Sequence, residues 1–396
     1  MDTIFRRQIQ SKIRSALTQG KSILLLGPRQ TGKTTLTEEL GADLNISFLS
    51  NKVRTEFEKN PDIVISYVHG IKRKNKAKPP LVIIDEVQKV PAVLDPIQGL
   101  IDKKVAQFVI TGSSARKLKQ QGELNLLPGR VLYFKMDPFS TTERSDLALE
   151  HHLYYGSLPE VTLTPNKNDK EEYLASYVET YLEEEIRKEA MLRKLPDFVR
   201  FLELSALESG NIVNYSAIAS DIGVSHLTIK SYFDILESTL IGDLIQPITE
   251  SSTRKKLLKS PKFLYFDLGV RRLAAGEGPK LGRTRLGQLF EQFVGIELHR
   301  QINFINSRIG LHYWHDPQNA EVNWVLRKSN KYIPIEVKYK STPTGADISH
   351  LEKFLKEYDC PFGGYVICDT DHPMKISTNV MAVSWKKISE VVKHFD

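Results

Sequence analysis

The segment Gly27-Pro28-Arg29-Gln30-Thr31-Gly32-Lys33-Thr34 constrains this chain more than any other, because it fits G-x-x-x-x-G-K-[ST] at every fixed position. The pattern needs a buried strand before it and a helix after it. Residues Ser22–Leu26 (SILLL) form an apolar run of the kind that makes a buried parallel strand, and Thr35 to Leu40 continues as a helix. Strand, glycine loop and helix in that order commit the N-terminal third to an α/β layer on a parallel sheet.

The residue types suit the capture of a nucleoside triphosphate. Gly27 and Gly32 let the backbone curl close to phosphates and turn its N–H groups toward them. The helix opening near Lys33 adds a positive dipole end, Lys33 adds a mobile charge for the β- and γ-phosphates, and the Thr34 hydroxyl can ligate magnesium. ATP and Mg2+ are the expected cofactors. Gly27, Arg29, Thr31, Gly32, Lys33, Thr34 and Thr35 are the candidate nucleotide contacts in this stretch.

A second apolar run, Leu81-Val82-Ile83-Ile84, ends in Asp85-Glu86. Acidic residues at the carboxyl end of a buried parallel strand stand where open α/β sheets bind ligands. Asp85 suits the magnesium ion, and Glu86 suits polarisation of an attacking water. A third strand, Gln107-Phe108-Val109-Ile110, leads into Thr111-Gly112-Ser113-Ser114. A polar group at this tip would lie beside the γ-phosphate. Thr111, Ser113 and Ser114 are all candidates, and the last two join the cofactor-contact set.

GPRQTGKTT, LVIIDEVQ and ITGSSARKL together resemble the motifs of prokaryotic AAA-type ATPases that carry a C-terminal domain of undetermined function. The LPGR stretch, MDPFS, GSLPE (Gly156 to Glu160) and YLEEEI (Tyr181 to Ile186) extend the resemblance along nearly the whole chain. It implies ATP hydrolysis, with Lys33 and Glu86 catalytic, and an arginine acting in trans between copies of a homo-oligomer. Arg116 and Arg130 are the candidates for that arginine.

With 396 residues, two or three domains are expected. The 41% apolar and 26% charged content suits a globular protein, and a net charge of +7 over this length is compatible with a nucleic-acid partner without requiring one. Cys360 and Cys368, the only cysteines, form neither a disulfide framework nor a zinc spacing and read as packing residues. No signal-peptide core and no run of 18 apolar residues appears, so a cytoplasmic protein without a membrane partner is expected.

From Asp146 to Leu207 the pattern turns helical, with Tyr173, Tyr177, Tyr181 and Leu174, Val178, Leu182 recurring every fourth residue as a core stripe. Glu183-Glu184-Glu185 reads as a solvated helix face. Next, YSAIAS (Tyr215 to Ser220) predicts a short helix, Asp221 to Val224 a turn, and Ser225 the N-cap of a second helix. Two short helices about a glycine turn read as a helix-turn-helix with a wing in Ile241 to Ile248, and the resemblance implies a winged helix here. His226, Thr228, Lys230 and Ser231 would then face DNA, with Arg254-Lys255-Lys256 as further basic contacts; a protein-contact module is the alternative.

The remainder, opening with KFLYFDLGV, alternates strands and helices. Glu291 lies on a helix, Glu321 to Leu326 reads as a strand, and Ile335-Glu336-Val337-Lys338 places Glu336 and Lys338 on one strand face. The arrangement resembles the PD-(D/E)XK nuclease fold, which implies a metal held by acidic residues and a lysine at the scissile phosphate. The expected aspartate is Asn323, an uncharged and poor magnesium ligand, so a degenerate site is expected, with Glu321 a partial substitute.

The expected architecture is therefore α/β: a P-loop ATPase domain over 1–145, a helical connector over 146–207, a winged-helix-like module over 208–258 and a nuclease-like domain over 259–396. The expected function is an ATP-hydrolysing switch or motor whose C-terminal half holds a partner or DNA. An ATP-regulated metal-dependent nuclease and an ATP-gated protein-interaction module without nucleic acid are the alternatives.

Overall fold

In a computed structural model, residues 5–72, 78–115, 127, 129–180, 195–249, 259–305 and 308–395 are described. The chain divides into two units, residues 1–139 with 238–240, and residues 140–237 with 241–396.

The apolar runs of the first unit form five parallel strands: β1 Ser22–Leu26, β2 Leu44–Ser47, β3 Leu81–Asp85, β4 Gln107–Gly112 and β5 Val131–Lys135. Their order in the sheet is β2-β3-β4-β1-β5. Helices α1 Ile9–Thr18, α2 Lys33–Glu38, α3 Asn51–Lys59, α4 Ile63–His69 and α5 Leu94–Asp102 accompany them. The central strands have no polar face because both sides are covered, and Leu24, Val82, Ile84, Phe108 and Ile110 share one core with Phe57 and Ile97. Each such side chain contributes about 1.5–3 kcal/mol by leaving water. This order sets β4 between β1 and β3, so the tip of β4 is the sheet neighbour of both the phosphate loop after β1 and the acidic pair after β3.

The second unit begins with α6 Leu149–Tyr155, α7 Pro159–Leu163 and α8 Lys167–Ser176. Leu174 and Tyr177 are buried and Tyr173 and Val178 pack against the same core, as their spacing predicts; Tyr181, Leu182 and the 183–185 glutamates lie outside the described residues. Then come α9 Leu195–Leu207, α10 Tyr215–Ile222 and α11 His226–Ser238, followed by the antiparallel pair β6 Gly242–Ile245 and β7 Lys262–Tyr265. Helix α10 runs two residues beyond the predicted YSAIAS, because the stop is Gly223 in the left-handed region (φ 84°), not Asp221. Ser225 caps α11 as expected, its Oγ accepting the Thr228 N–H at 3.1 Å. Phe201, Tyr232, Phe233 and Phe263 bind these helices and the hairpin into one core.

After α12 Leu268–Ala274 comes the long helix α13 Arg283–Ile305. Strands β8 Gly310–His315, β9 Glu321–Lys328 and β10 Lys331–Lys338 form an antiparallel meander. Helix α14 Ser349–Glu357 then leads to β11 Gly364–Cys368, parallel to β10. Strands β12 Met374–Ser377 and β13 Val380–Ser384, with α15 Ile388–Val392, complete a sheet of order β12-β13-β11-β10-β9-β8. Leu289, Phe290, Phe293 and Val294 of α13 share a core with Trp324 and Ile335 from the sheet. Cys368 is buried and Cys360 half-buried, consistent with packing roles.

Candidate functional site

The phosphate loop follows β1 directly, and Gly32 ends it with φ of 89°, a left-handed conformation that suits glycine. Lys33 opens α2 with its side chain folded back, Nζ donating to the carbonyls of Gly27 at 2.8 Å and Pro28 at 2.7 Å. Burial pushes the Lys33 ammonium down to about 8, even though Glu86 and Asp85 work the other way. A buried cation short of negative charge fits the arrival of a phosphate, whose charge would restore it. Thr31 is buried, its Oγ1 donating to the Pro28 carbonyl at 2.9 Å; Arg29 is half-buried, and Thr34 and Thr35 are exposed.

Asp85 ends β3 and Glu86 follows it, both buried. Glu86 is left-handed (φ 59°), which swings the chain into a tight turn over Val87–Lys89. The three hydroxyl candidates at the β4 tip separate by geometry. Thr111 Oγ1 donates to Asp85 Oδ1 at 2.5 Å and accepts the Glu86 N–H at 3.3 Å. Ser113 Oγ instead donates to Glu86 Oε2 at 3.1 Å. Ser114 is buried beside them.

Three contributors escaped sequence reasoning. Gln88 Nε2 donates to Glu86 Oε2 at 2.5 Å and to Ser113 Oγ at 2.9 Å. A Cβ at Gly112 would lie 2.8 Å from Gln88 Oε1, so the missing side chain there makes room for that amide. Ser47, at the end of β2, donates to Asp85 Oδ2 at 3.1 Å. Arg7 is buried and reaches the loop from before α1, donating to the Thr31 carbonyl at 2.6 Å and the Asp137 carbonyl at 2.7 Å. The only local signals were a hydroxyl and an amide at strand tips, which are ordinary turn residues.

Of the two candidate trans arginines, Arg116 lies outside the described residues. Arg130 follows the left-handed Gly129, and its Nε donates to Asp102 Oδ1 at 2.7 Å. On α11, His226, Lys230 and Ser231 are exposed, whereas the Thr228 hydroxyl is engaged with Ser225 at 2.9 Å; Arg254, Lys255 and Lys256 lie outside the described residues.

In the C-terminal sheet, the residues singled out by sequence divide. Glu336 and Lys338 pair at 2.8 Å, with Glu336 only 7% exposed. Burial pushes the Glu336 carboxyl up to about 7 against the pull of Lys338, with Glu291 and Glu321 adding to the rise. Asn323 is committed to the backbone, its Oδ1 accepting the Val337 N–H at 2.8 Å across the β9–β10 pair. Glu291 and Glu321 both accept from Lys262, at 3.0 and 2.6 Å. That lysine, the first residue of β7, carried no sequence signal beyond being a charge at the head of an apolar strand.

Residues 19–145 match the family described as AAA domain, residues 146–281 a domain of unknown function, DUF8612, and residues 286–388 a domain of unknown function, DUF4143. The N-terminal portion is thus a P-loop domain of AAA type, which binds nucleotide. The chain is 26% identical over 353 residues to the uncharacterized proteins Mb2031c of Mycobacterium bovis and Rv2008c of Mycobacterium tuberculosis, covering 86% of this chain and 75% of theirs. Among solved structures, Cdc6p from Pyrobaculum aerophilum aligns with 14% identity and a TM-score of 0.28, over 73% of this chain and 96% of that one. Among the described residues, no helix is long and apolar enough to cross a membrane.

Proposed function

We propose that this protein hydrolyses ATP with magnesium, as an AAA-type switch or motor whose C-terminal half engages a partner. The observation that carries this is the set of charges at the carboxyl edge of the parallel sheet. A buried ammonium short of negative charge, Lys33, belongs to the same edge as the buried carboxylates Asp85 and Glu86, each already oriented by hydroxyl donors. In this reading Gly27, Arg29, Thr31, Gly32, Thr35, Ser113 and Ser114 contact the nucleotide. Thr34 and Asp85 hold magnesium, which neutralises phosphate charge. Lys33 draws the β- and γ-phosphates, and Glu86 takes a proton from the attacking water. Arg130 is the described candidate for an arginine acting on a neighbouring copy in a homo-oligomer. Glu86→Gln should bind ATP and fail to turn it over, and parental turnover in that variant would sink the assignment.

DNA is the partner favoured for the C-terminal half. Supporting this, α9, α10, α11 and the β6–β7 hairpin follow one another in winged-helix order, and α11 exposes His226, Lys230 and Ser231. The run α13, β8, β9, β10, α14, β11 supports a nuclease-like scaffold in 259–396, and the commitment of Asn323 to a backbone amide supports a scaffold that does not cut. Duplex binding whose affinity falls steeply with salt would support DNA as the partner; no binding at low salt would favour a protein partner.

A further inference from the structure

We propose that the ammonium of Lys262 is the resident cation of a carboxylate site in the C-terminal sheet domain, standing where a divalent ion would otherwise sit between Glu291 and Glu321 and closing the site to metal. The inference rests on these side chains alone and stands whether or not the domain is related to nucleases.

Lys262 Nζ lies 3.0 Å from Glu291 Oε1 and 2.6 Å from Glu321 Oε1. The shorter of the two matches the upper end of the roughly 2.3–2.6 Å at which hard cations such as calcium take carboxylate oxygens. The two carboxylates come from separate elements, α13 and the head of β9, yet converge on one atom delivered by a third, β7. That atom is out of water: Lys262 is 3% exposed, and its Nζ lies 5.2 Å from the ring centroids of both Tyr313 and Trp324. Glu291 and Glu321 supply the two negative charges that a buried ammonium needs in place of water. The lysine is desolvated and held between two carboxylates, as a bound ion would be.

The surroundings leave no place for a second one. Glu336 is 7% exposed; its Oε1 takes Lys338, while its Oε2 is buried without a hydrogen-bond partner. Glu291 and Glu321 act on Glu336 as like charges, so the three belong to one electrostatic cluster. Three carboxylates against two ammoniums leave a single negative charge. A divalent ion would overcharge the cluster while Lys262 remains, and the position it needs is filled. Among the described residues no group of three or more His, Cys, Asp or Glu is arranged to hold a metal ion.

The test uses the full chain without nucleotide and terbium(III), a hard oxygen-seeking cation excited through nearby tryptophan. All three tryptophans, Trp314, Trp324 and Trp385, lie in the second unit, and Trp324 flanks Lys262, so emission from this site is sensitised and its loss in Glu321→Gln distinguishes it from emission beside Trp385 and Asp369. The wild-type protein should give no saturable emission. Lys262→Met keeps the apolar stem and removes the charge; it should bind terbium at least about a hundredfold more tightly, since a like charge has left the ion's own position. Adding Glu321→Gln to Lys262→Met should abolish that emission. Saturable emission from the wild type that is lost in Glu321→Gln would overturn the proposal. So would a Lys262→Met protein with unchanged circular dichroism and cooperative melting that stays dark. If Lys262→Met does not fold, the wild type decides: silence supports the proposal, and emission lost in Glu321→Gln overturns it.

Discussion

Thr111→Val removes one oxygen from the centre of the acidic site and leaves its shape nearly unchanged. The residue is fully buried. Its hydroxyl makes two bonds, to the Asp85 carboxylate at 2.5 Å and from the Glu86 amide at 3.3 Å. A hydrogen bond to a charged group contributes about 1.5–3 kcal/mol, and a buried amide left unpaired costs about 1–3 kcal/mol. The two losses overlap, because Asp85 can shift toward Ser47, which holds Oδ2 at 3.1 Å. A net loss of about 3 kcal/mol follows, or about 10 °C in the melting of a unit this size. Turnover should fall by about 10- to 100-fold, equivalent to about 1.4–2.8 kcal/mol, because Asp85 loses the bond that fixes its orientation. Thr111→Ser keeps the oxygen and should restore most of both. Melting by far-UV circular dichroism and steady-state phosphate release read the two effects. A valine variant that melts within about 1 °C of wild type would refute the hydrogen-bond account. One that is destabilised but turns over normally would refute the positioning of Asp85.

Further outcomes are expected. Lys33→Ala should weaken ATP binding by at least about tenfold, measured by calorimetry, because it removes the charge for the β- and γ-phosphates. In the wild-type protein the unliganded Lys33 titrates near 8 and the phosphate-bound form higher, so ATP affinity should be flat below pH 8 and fall above it; affinity rising with pH there would contradict the reading. Glu336 binds its proton up to about pH 7 in the folded protein against an ordinary value of 4.5, so its folded form holds more protons between those values and stability drops as pH rises through them. Glu336→Gln should remove that drop, at most about 3 kcal/mol between pH 5 and 8 by urea unfolding; an unchanged slope would contradict the burial argument. Plasmid and linear DNA should stay intact with the parent in magnesium or manganese, cleavage that Glu336→Ala abolishes being the contrary result, and Lys230→Ala should lower the steepness of salt-dependent duplex binding by about one.

Three of the five strands of the first unit, β1, β3 and β4, were legible because each is an apolar run bounded by a functional tip, whereas β2 and β5, only partly buried, were not; Asp85-Glu86 was legible because a phosphate loop calls for such a pair. What distinguishes Thr111 from Ser113 was not, since both are small hydroxyls at one strand tip and only the folded contacts assign one to Asp85 and the other to Glu86. Gln88 was hidden by the turn at Glu86, whose left-handed backbone folds the amide back onto its neighbour's carboxylate. The lysine cluster was hidden by distance along the chain, 29 positions from Lys262 to Glu291 and 59 to Glu321. No local pattern encodes such a meeting. Asn323 looked like a lost ligand, and its neighbouring strand shows what it does instead: it carries one rung of the β9–β10 pairing.

Arg7 bears on how this protein can be cut down for study. The AAA match begins at residue 19, which invites a truncation there. Such a cut would discard the guanidinium that ties the phosphate loop, through the Thr31 carbonyl, to the segment after β5, through the Asp137 carbonyl. It would also discard α1, whose Ile13 is fully buried. Every residue of the phosphate-binding motif would remain, yet the loop would enter the nucleotide-free state without its anchor and would spend binding energy on ordering itself. A shortened protein that binds ATP poorly would therefore say little about the motif and a good deal about the hydrogen bonds that Arg7 makes to the carbonyls of Thr31 and Asp137.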